Sequence, residues 1–227
     1  MIIGVVFIPA APLLCPDVDI EDLLVDERDA SIELVLEFVL DAQQVIVIGS
    51  GERTHWFNQG GIGSTRGFGG LFDYSLGSGS ERLPQVLTIA AAVLAGANWT
   101  GSVVGLEVAP DSNTQQREVL GREVAAKAAE LNTLVVVVGD GSATRTEKAP
   151  GYVQPDAASF DEAMARAINE ADTHAILDVD QEQADRLWCR GIPAWQVVAH
   201  AVDPMEGALI LESAPFGVNY LVASWRP

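Results

Sequence analysis

Residues 133–152, TLVVVVGDGSATRTEKAPGY, are the segment that decides the fold. Residues 134–138 form an unbroken run of leucine and valine, which is typical of a central strand buried on both faces. The run stops at Gly139, and a polar loop follows. Open α/β sheets present ligand-binding groups in such loops, at the carboxyl ends of their strands. The segment therefore predicts a sheet, and also the edge of that sheet where a ligand binds.

Alternating strand and helix patterns extend from this segment in both directions. Residues 2–8 and 45–48 are apolar runs of strand length, residues 102–108 have a weaker strand pattern, and apolar residues at helical spacing separate them. This alternation predicts an α/β fold with a mainly parallel central sheet and helices on both faces. No repeat or low-complexity linker divides the chain, so we predict a single domain over residues 1–227.

Capping and propensity rules predict several element boundaries. Ser80 is expected to cap a helix that runs to about Ala97, and the next helix is expected to start at Asn113 or Thr114. Residues 175–177 are expected to form a short strand.

Residues 49–79 form a glycine-rich region that holds ten of the 21 glycines of the chain. Glycine permits both tight turns and plain flexibility. Five aromatic residues lie among these glycines, and a simple linker would not carry so many. The region is therefore predicted to be an ordered loop folded over the sheet.

The charge balance restricts the partners of the protein. The chain has 32 acidic and 13 basic residues and a formal net charge of −19. Such a charge repels phosphate backbones and anionic membrane surfaces, so neither nucleic acid nor a membrane is an expected partner. The longest apolar stretch, residues 86–97, is too short to span a membrane.

The N-terminal segment is apolar, but it does not have the pattern of a signal peptide. Its first basic residue is Arg28, so the positively charged region that opens a signal peptide is missing. We interpret the segment as a buried first strand and expect a cytoplasmic protein. Cys15 and Cys189 are far apart and no CxxC occurs, so no disulfide framework or zinc-thiolate site is indicated.

The turn and loop after residues 134–138 hold four candidate ligand-binding residues, Asp140, Ser142, Arg145 and Lys148. Backbone N–H groups of a glycine turn can bind phosphate, but Asp140 would oppose it, and a purely structural turn is the alternative. Arg145 and Lys148 could hold a carboxylate-bearing small molecule. A solvent-screened cluster of ion pairs with Glu147 is the other interpretation.

His55 is the candidate catalytic residue, because it follows the strand predicted at residues 45–48. A neutral imidazole at that position could bind a metal or transfer a proton, although a lone loop histidine more often does neither. Glu212 ends a predicted strand. If the protein uses a metal, His55, Asp140 and Glu212 are the candidate ligands.

Four short motifs resemble one known family. They are FIPAAPLL at residues 7–14, VIGS at 47–50 leading to His55-Trp56, residues 135–142, and SAPFGV at 213–218. Together they resemble the LigB-like family, the class III extradiol ring-cleavage dioxygenases and their Memo relatives. Within that family, the pattern is most similar to the actinobacterial branch. The resemblance implies a compact α/β domain.

The resemblance also implies a non-haem ferrous ion, held by histidines and often a glutamate, that opens catecholic rings with O₂. Most of the implied ligand positions carry residues that cannot bind iron. The first histidine of the family falls on Ala10, the second near Ala143, and the late glutamate and histidine around Ala194 and Trp195. Only His55 matches. Because Fe(II) needs about three protein ligands, the resemblance implies a LigB-like fold without its iron site.

Three functional hypotheses follow. The first is a non-catalytic or chemically divergent protein that binds an unknown small molecule near His55, Asp140 and Arg145, with no cofactor expected. The second is an active Fe(II)-dependent extradiol-type dioxygenase acting on a catecholic substrate. The third is a non-catalytic partner chain of an assembly or a homo-oligomer, for which Trp225 near the C-terminus leaves room for an apolar interface.

Overall fold

The computed structural model describes residues 1 to 227 without a gap. Ten strands form two sheets: β1 (Ile2–Ile8), β2 (Gln44–Ser50), β3 (His55–Phe57), β4 (Gly60–Ser64), β5 (Asp73–Gly77), β6 (Glu81–Arg82), β7 (Ser102–Val108), β8 (Thr133–Val138), β9 (Glu206–Ser213) and β10 (Tyr220–Arg226). Seven helices connect or cover them: α1 (Val25–Val39), α2 (Gln85–Gly96), α3 (Thr114–Ala128), α4 (Ala157–Asn169), α5 (Thr173–Leu177), α6 (Gln181–Arg186) and α7 (Ile192–Ala199).

The larger sheet has seven strands in the order β3-β7-β2-β8-β1-β10-β9. Its central strands β7, β2, β8 and β1 are parallel neighbours. The outer strands β3, β10 and β9 join as antiparallel strands. The predicted α/β architecture is confirmed, and the sheet is mixed, with a parallel centre and antiparallel edges. One reason for the antiparallel edge is that β9 and β10 form a hairpin, which must be antiparallel.

The central strands are buried on both faces, as the apolar run predicts. Every residue from 134 to 138 has no exposed surface. Helices α3, α4 and α7 contribute to the core on one face of the sheet, and helices α1 and α2 contribute to the core on the other. Helices on both faces are therefore confirmed, and they leave only the ends of the central strands open to a ligand.

The glycine-rich region is ordered, but it is not a plain loop. Strand β3 joins the edge of the large sheet, and β4, β5 and β6 form a small sheet in the order β5-β4-β6. Asp17 ties this region together by accepting hydrogen bonds from the Thr65 and Tyr74 hydroxyls and from the backbone N–H groups of Leu71 and Phe72. Burial raises the pKa of Asp17, but these hydrogen bonds outweigh it and lower the pKa to about 2.

The predicted start of α2 and the strand predicted at residues 175–177 are wrong, and the predicted start of α3 is confirmed. Helix α2 begins at Gln85 after Pro84, and not at Ser80, because residues 81 and 82 are used as strand β6. Residues 175–177 belong to helix α5, whose first turn is capped by the Asp172 side chain. Helix α3 follows Asn113, which forms a reciprocal capping box with Gln116.

Trp225 is a core residue and not part of an exposed interface, which corrects the interpretation of its position near the C-terminus. It has no exposed surface, and its indole N–H donates to the backbone oxygen of Ile168 at 2.6 Å. Its ring packs edge-on against Phe7 with centroids 4.7 Å apart. None of the helices combines the length and the apolar character that crossing a membrane requires.

Candidate functional site

A cleft of about 730 Å³ opens at the carboxyl ends of the central strands. Ala10 follows β1, Ser50 ends β2, Glu107 lies near the end of β7, and Asp140 follows β8; all four line the cleft. The volume falls in the range of small-molecule sites, and the position is the one that open α/β sheets use for ligands. The topology therefore builds this cleft from segments that are far apart in the sequence.

Asp140 lies at the junction of β1 and β8. Its carboxylate accepts a hydrogen bond from the backbone N–H of Ala10 at 2.7 Å, and its backbone oxygen accepts one from Gly191 at 2.9 Å. Burial raises the pKa of the Asp140 carboxyl to about 7, against the opposing effect of the Ala10 hydrogen bond. The carboxyl can therefore hold or release a proton near neutral pH.

Three of the 14 residues that line the cleft are arginines, although the whole chain has only 13 basic residues. Arg53 lies 3.7 Å from the buried carboxylate of Glu107, whose other oxygen accepts the backbone N–H of Glu52 at 2.8 Å. The other two, Arg82 and Arg190, make no ion pair and no side-chain hydrogen bond within the protein. They are available to a ligand.

The segment that carries Arg190 has an unusual backbone. Trp188, just after α6, has φ of +55°, in the left-handed region that favours glycine. Its N–H donates to the oxygen of Asp185, and Cys189 donates to that of Ala184, so the segment ends α6 as a Schellman motif. Trp188 is 43% exposed, and the Arg190 guanidinium lies 5.9 Å from the centroid of its ring.

His55 does not line the cleft. It lies in β3, where its Nε2 is 3.0 Å from a carboxylate oxygen of Glu81, and its ring meets Phe57 edge-on. Both side chains of the His55–Glu81 pair are partly exposed. The structure therefore places the candidate catalytic histidine beside the cleft region, in contact with a solvent-exposed carboxylate. Its catalytic role stays a prediction.

Ser142 and Arg145 lie in a buried polar network that is separate from the cleft. The carboxylate of Asp161, on α4, accepts hydrogen bonds from Ser142 N–H at 2.8 Å and from its hydroxyl at 2.6 Å. Arg145 lies 3.5 Å from Asp161 and 3.7 Å from Glu212. Asn219 donates to Glu212 at 2.9 Å. Burial raises the pKa of Asp161, although its hydrogen bonds with Ser142 and the charge of Arg145 oppose that rise.

This network ties the loop after β8 to the start of β10. The two segments also form backbone hydrogen bonds. Gly141 N–H donates to the backbone oxygen of Asn219, and Asn219 N–H donates to the backbone oxygen of Ser142, both at 2.8 Å. Ser142 and Arg145 therefore have clear structural partners. Lys148 is exposed and forms no ion pair. Ligand binding by these three residues stays a prediction, and only Asp140 of the four candidates lines the cleft.

The donor groups do not fit a ferrous ion. No group of three or more His, Cys, Asp or Glu side chains lies close enough to hold a metal, so His55, Asp140 and Glu212 do not form a site. Of the other positions that the family resemblance implies, Ala10 lines the cleft. Ala194 and Trp195 are buried in the core.

A second groove, of about 680 Å³, lies beside α4 and α5 and is away from the strand ends. Four of its 13 lining residues are acidic, and two of these cap helices: Asp172 accepts from Ala175 N–H and Asp180 from Glu182 N–H. Because these carboxylates already have structural partners, the cleft at the strand ends is the stronger candidate site.

Sequence reasoning missed Arg82 and Arg190 as site residues, and it missed the partner of Ser142, Asp161. Arg82 lies in a two-residue strand and Arg190 between two short helices, so neither has a periodic pattern around it. Asp161 faces inward among the apolar residues of α4. A charged residue on the apolar face of a helix was the one available signal for it.

The fold and this site together define the class: a one-domain α/β protein with a polar cleft at the carboxyl ends of its parallel strands. The structure is similar to that of the uncharacterized protein JW3007 from Escherichia coli K12, with a TM-score of 0.60 and 15% sequence identity over 98% of this chain and 99% of that chain. At that identity the likeness shows the fold alone. No protein-family model and no curated protein matches the sequence.

Asp140 is expected to make stability depend on pH. Burial raises the pKa of its carboxyl from the ordinary 3.8 to about 7, so the folded protein binds this proton more tightly than the unfolded chain. The resulting stability is complete below about pH 4 and is lost as the pH rises through about 7. Urea unfolding at intervals from pH 4.5 to 8 is expected to show Asp140→Asn gaining stability relative to wild type as the pH rises. A constant difference would contradict this.

Asp161→Ala is expected to reduce the free energy of unfolding by about 3 kcal/mol, because it leaves the buried N–H and hydroxyl of Ser142 without their acceptor and removes one of the two carboxylates beside Arg145. Lys148→Ala, in the same loop but exposed and unpaired, is the matched control and is expected to leave the urea midpoint unchanged. Equal midpoints for the Asp161→Ala variant and wild type would show that the network contributes nothing to the fold.

Proposed function

We propose that the chain is a LigB-like protein without a ferrous-iron site, which binds a small molecule in the cleft at the carboxyl ends of β1, β2, β7 and β8. The binding is non-catalytic or serves a divergent chemistry. One observation carries the proposal: the cleft gathers polar groups that have no partner in the protein. They are the guanidinium groups of Arg82 and Arg190 and the buried hydroxyl of Ser50.

Unpartnered polar groups favour a ligand for an energetic reason. A buried hydroxyl without a hydrogen-bond partner is rare in folded proteins and costs stability. Ser50 lines the cleft at the end of β2, and its hydroxyl oxygen is buried without a hydrogen-bond partner. A rotation of the Ser50 side chain toward the cleft would let a ligand bond to this hydroxyl and recover that free energy.

The proposal does not include iron chemistry because the side chains at the implied ligand positions are not arranged to bind iron. Ala10, at the position of the first implied iron ligand, has no side-chain donor for a metal, and its backbone N–H is donated to Asp140. His55 is paired with Glu81 instead of the cleft carboxylates. Asp140, whose pKa is raised to about 7, supports the alternative that the cleft serves a divergent chemistry. Such a carboxyl is suited to proton transfer at neutral pH.

Iron retention tests the first half of the proposal. Protein incubated anaerobically with Fe(II) and then desalted is expected to keep far less than one equivalent of iron by elemental mass spectrometry, because no three donor side chains converge. The His55→Ala variant is expected to retain the same small amount. One equivalent of iron in wild type, lost in His55→Ala, would restore the Fe(II)-dependent dioxygenase hypothesis.

Blocking the cleft tests the second half. Gln85 is an exposed residue in the first turn of α2 and lines the cleft, so a tryptophan there fills the cleft without entering the core. In ligand-observed NMR with a library of small polar fragments, Gln85→Trp is expected to abolish most of the binding seen with wild type. Gln115→Trp, an exposed first-turn substitution on α3 outside this cleft, is the matched control. Equal binding by both variants would contradict the cleft as the binding site.

A further inference from the structure

The charge distribution around the cleft differs from that of the rest of the molecule. The protein carries a formal charge of −19, so a diffuse attraction for anions is ruled out over most of its surface. Within the cleft, Arg53 is matched to Glu107, and Asp140 is only partly ionised at neutral pH. Glu52 is exposed at the rim. The cleft thus retains free cationic groups in a protein that has few of them.

Those free groups are Arg82 and Arg190, which come from different parts of the chain. Arg82 belongs to β6 of the small sheet, and Arg190 follows the Schellman turn at the end of α6. The backbone beside Arg190 is fixed, because Gly191 donates its N–H to the backbone oxygen of Asp140. The Arg190 side chain is exposed, and its guanidinium lies 5.9 Å from the centroid of the Trp188 ring. A planar guanidinium without an ion-pair partner in the protein is suited to bidentate binding of an oxyanion.

Helix α2 adds further donors at the same place. It is 12 residues long, and its N-terminal residues 84–86 line the cleft next to Arg82. Pro84 at the N-cap has no side chain that can accept from the first-turn N–H groups, and no other side chain caps them. These N–H groups and the positive end of the helix favour an anion in the cleft beside Arg82.

We propose that Arg82 and Arg190 form an anion subsite that holds a carboxylate or phosphate group of the ligand, assisted by the first turn of α2. This inference rests on the proposed function, since it names the chemical class of molecule that the cleft takes. Arg82 comes from the β6–α2 side of the cleft, and Arg190 precedes Gly191, whose N–H binds the backbone oxygen of Asp140.

Two oxyanion probes and one neutral probe test the subsite. Inorganic phosphate, succinate and the uncharged succinamide are titrated into the full-length protein at low ionic strength, where screening is weak. Binding is followed by calorimetry and by NMR of the arginine side-chain N–H groups. Saturable binding is expected for at least one of the two anions, with shifts confined to the Arg82 and Arg190 signals. The anion that binds more tightly identifies the ligand group as carboxylate or phosphate.

A double variant and a control variant test whether the two arginines are responsible for that binding. Arg82→Gln with Arg190→Gln is expected to raise the Kd of the anion at least tenfold, since each charge-assisted contact is worth about tenfold or more in affinity. Arg166→Gln removes an exposed, unpaired arginine of α4 and is the matched control, with a change of less than twofold. Circular dichroism and the urea midpoint confirm that each variant is folded.

The outcomes separate the subsite from the proposed function. Unchanged anion affinity in the double variant overturns the subsite, as does the lack of any saturable anion binding by wild type. If in either case Gln85→Trp still blocks succinamide or neutral fragments, the small-molecule cleft stands and only its anion preference is wrong. If Gln85→Trp blocks nothing, both proposals fail.

Discussion

The structure depends on the burial of β8 between two parallel neighbours. Residues 134–138 have no exposed surface, and their backbone pairs with β1 on one side and β2 on the other. A strand in this position must be apolar on both faces and must be covered by helices on both faces. Only its ends can then carry polar groups. The cleft lies at the strand ends, where the residues are no longer buried on both faces. Polar residues are therefore allowed in its lining.

The polar residues after β8 serve two different purposes within a few positions. Asp140 turns toward β1 and accepts the Ala10 N–H in the cleft. Ser142 and Arg145 turn toward α4 and β10 and meet Asp161, which has no exposed side-chain surface. The second group fixes the loop, so that the first group is held at the mouth of the strands. A rigid support of this kind is what a binding site requires of the residues around it.

The sequence was informative where a pattern is local and continuous, and uninformative where the fold brings distant segments together. The run at 134–138 predicted a central strand and placed Asp140 at its carboxyl end, and both features are present. Residues 175–177 were too few for their period to distinguish helix from strand. Arg82 and Arg190 line the same cleft only because the fold brings β6 and the segment after α6 to it, and no spacing between them in the sequence indicates this. Arg145 lay in the right loop, but its partners lie on α4 and β9.

The place of β1 in the sheet affects how the protein is made. The strand Ile2–Ile8 is synthesised well before both of its neighbours, which lie at residues 133–138 and 220–226. Until then its apolar residues and its unpaired backbone have no native partner on either edge. A nascent chain with such an early, hydrophobic and unpaired strand is exposed to non-native association. Completion of the sheet therefore requires β1 to pair with segments that lie far along the chain, and long-range pairing of this kind makes folding slow.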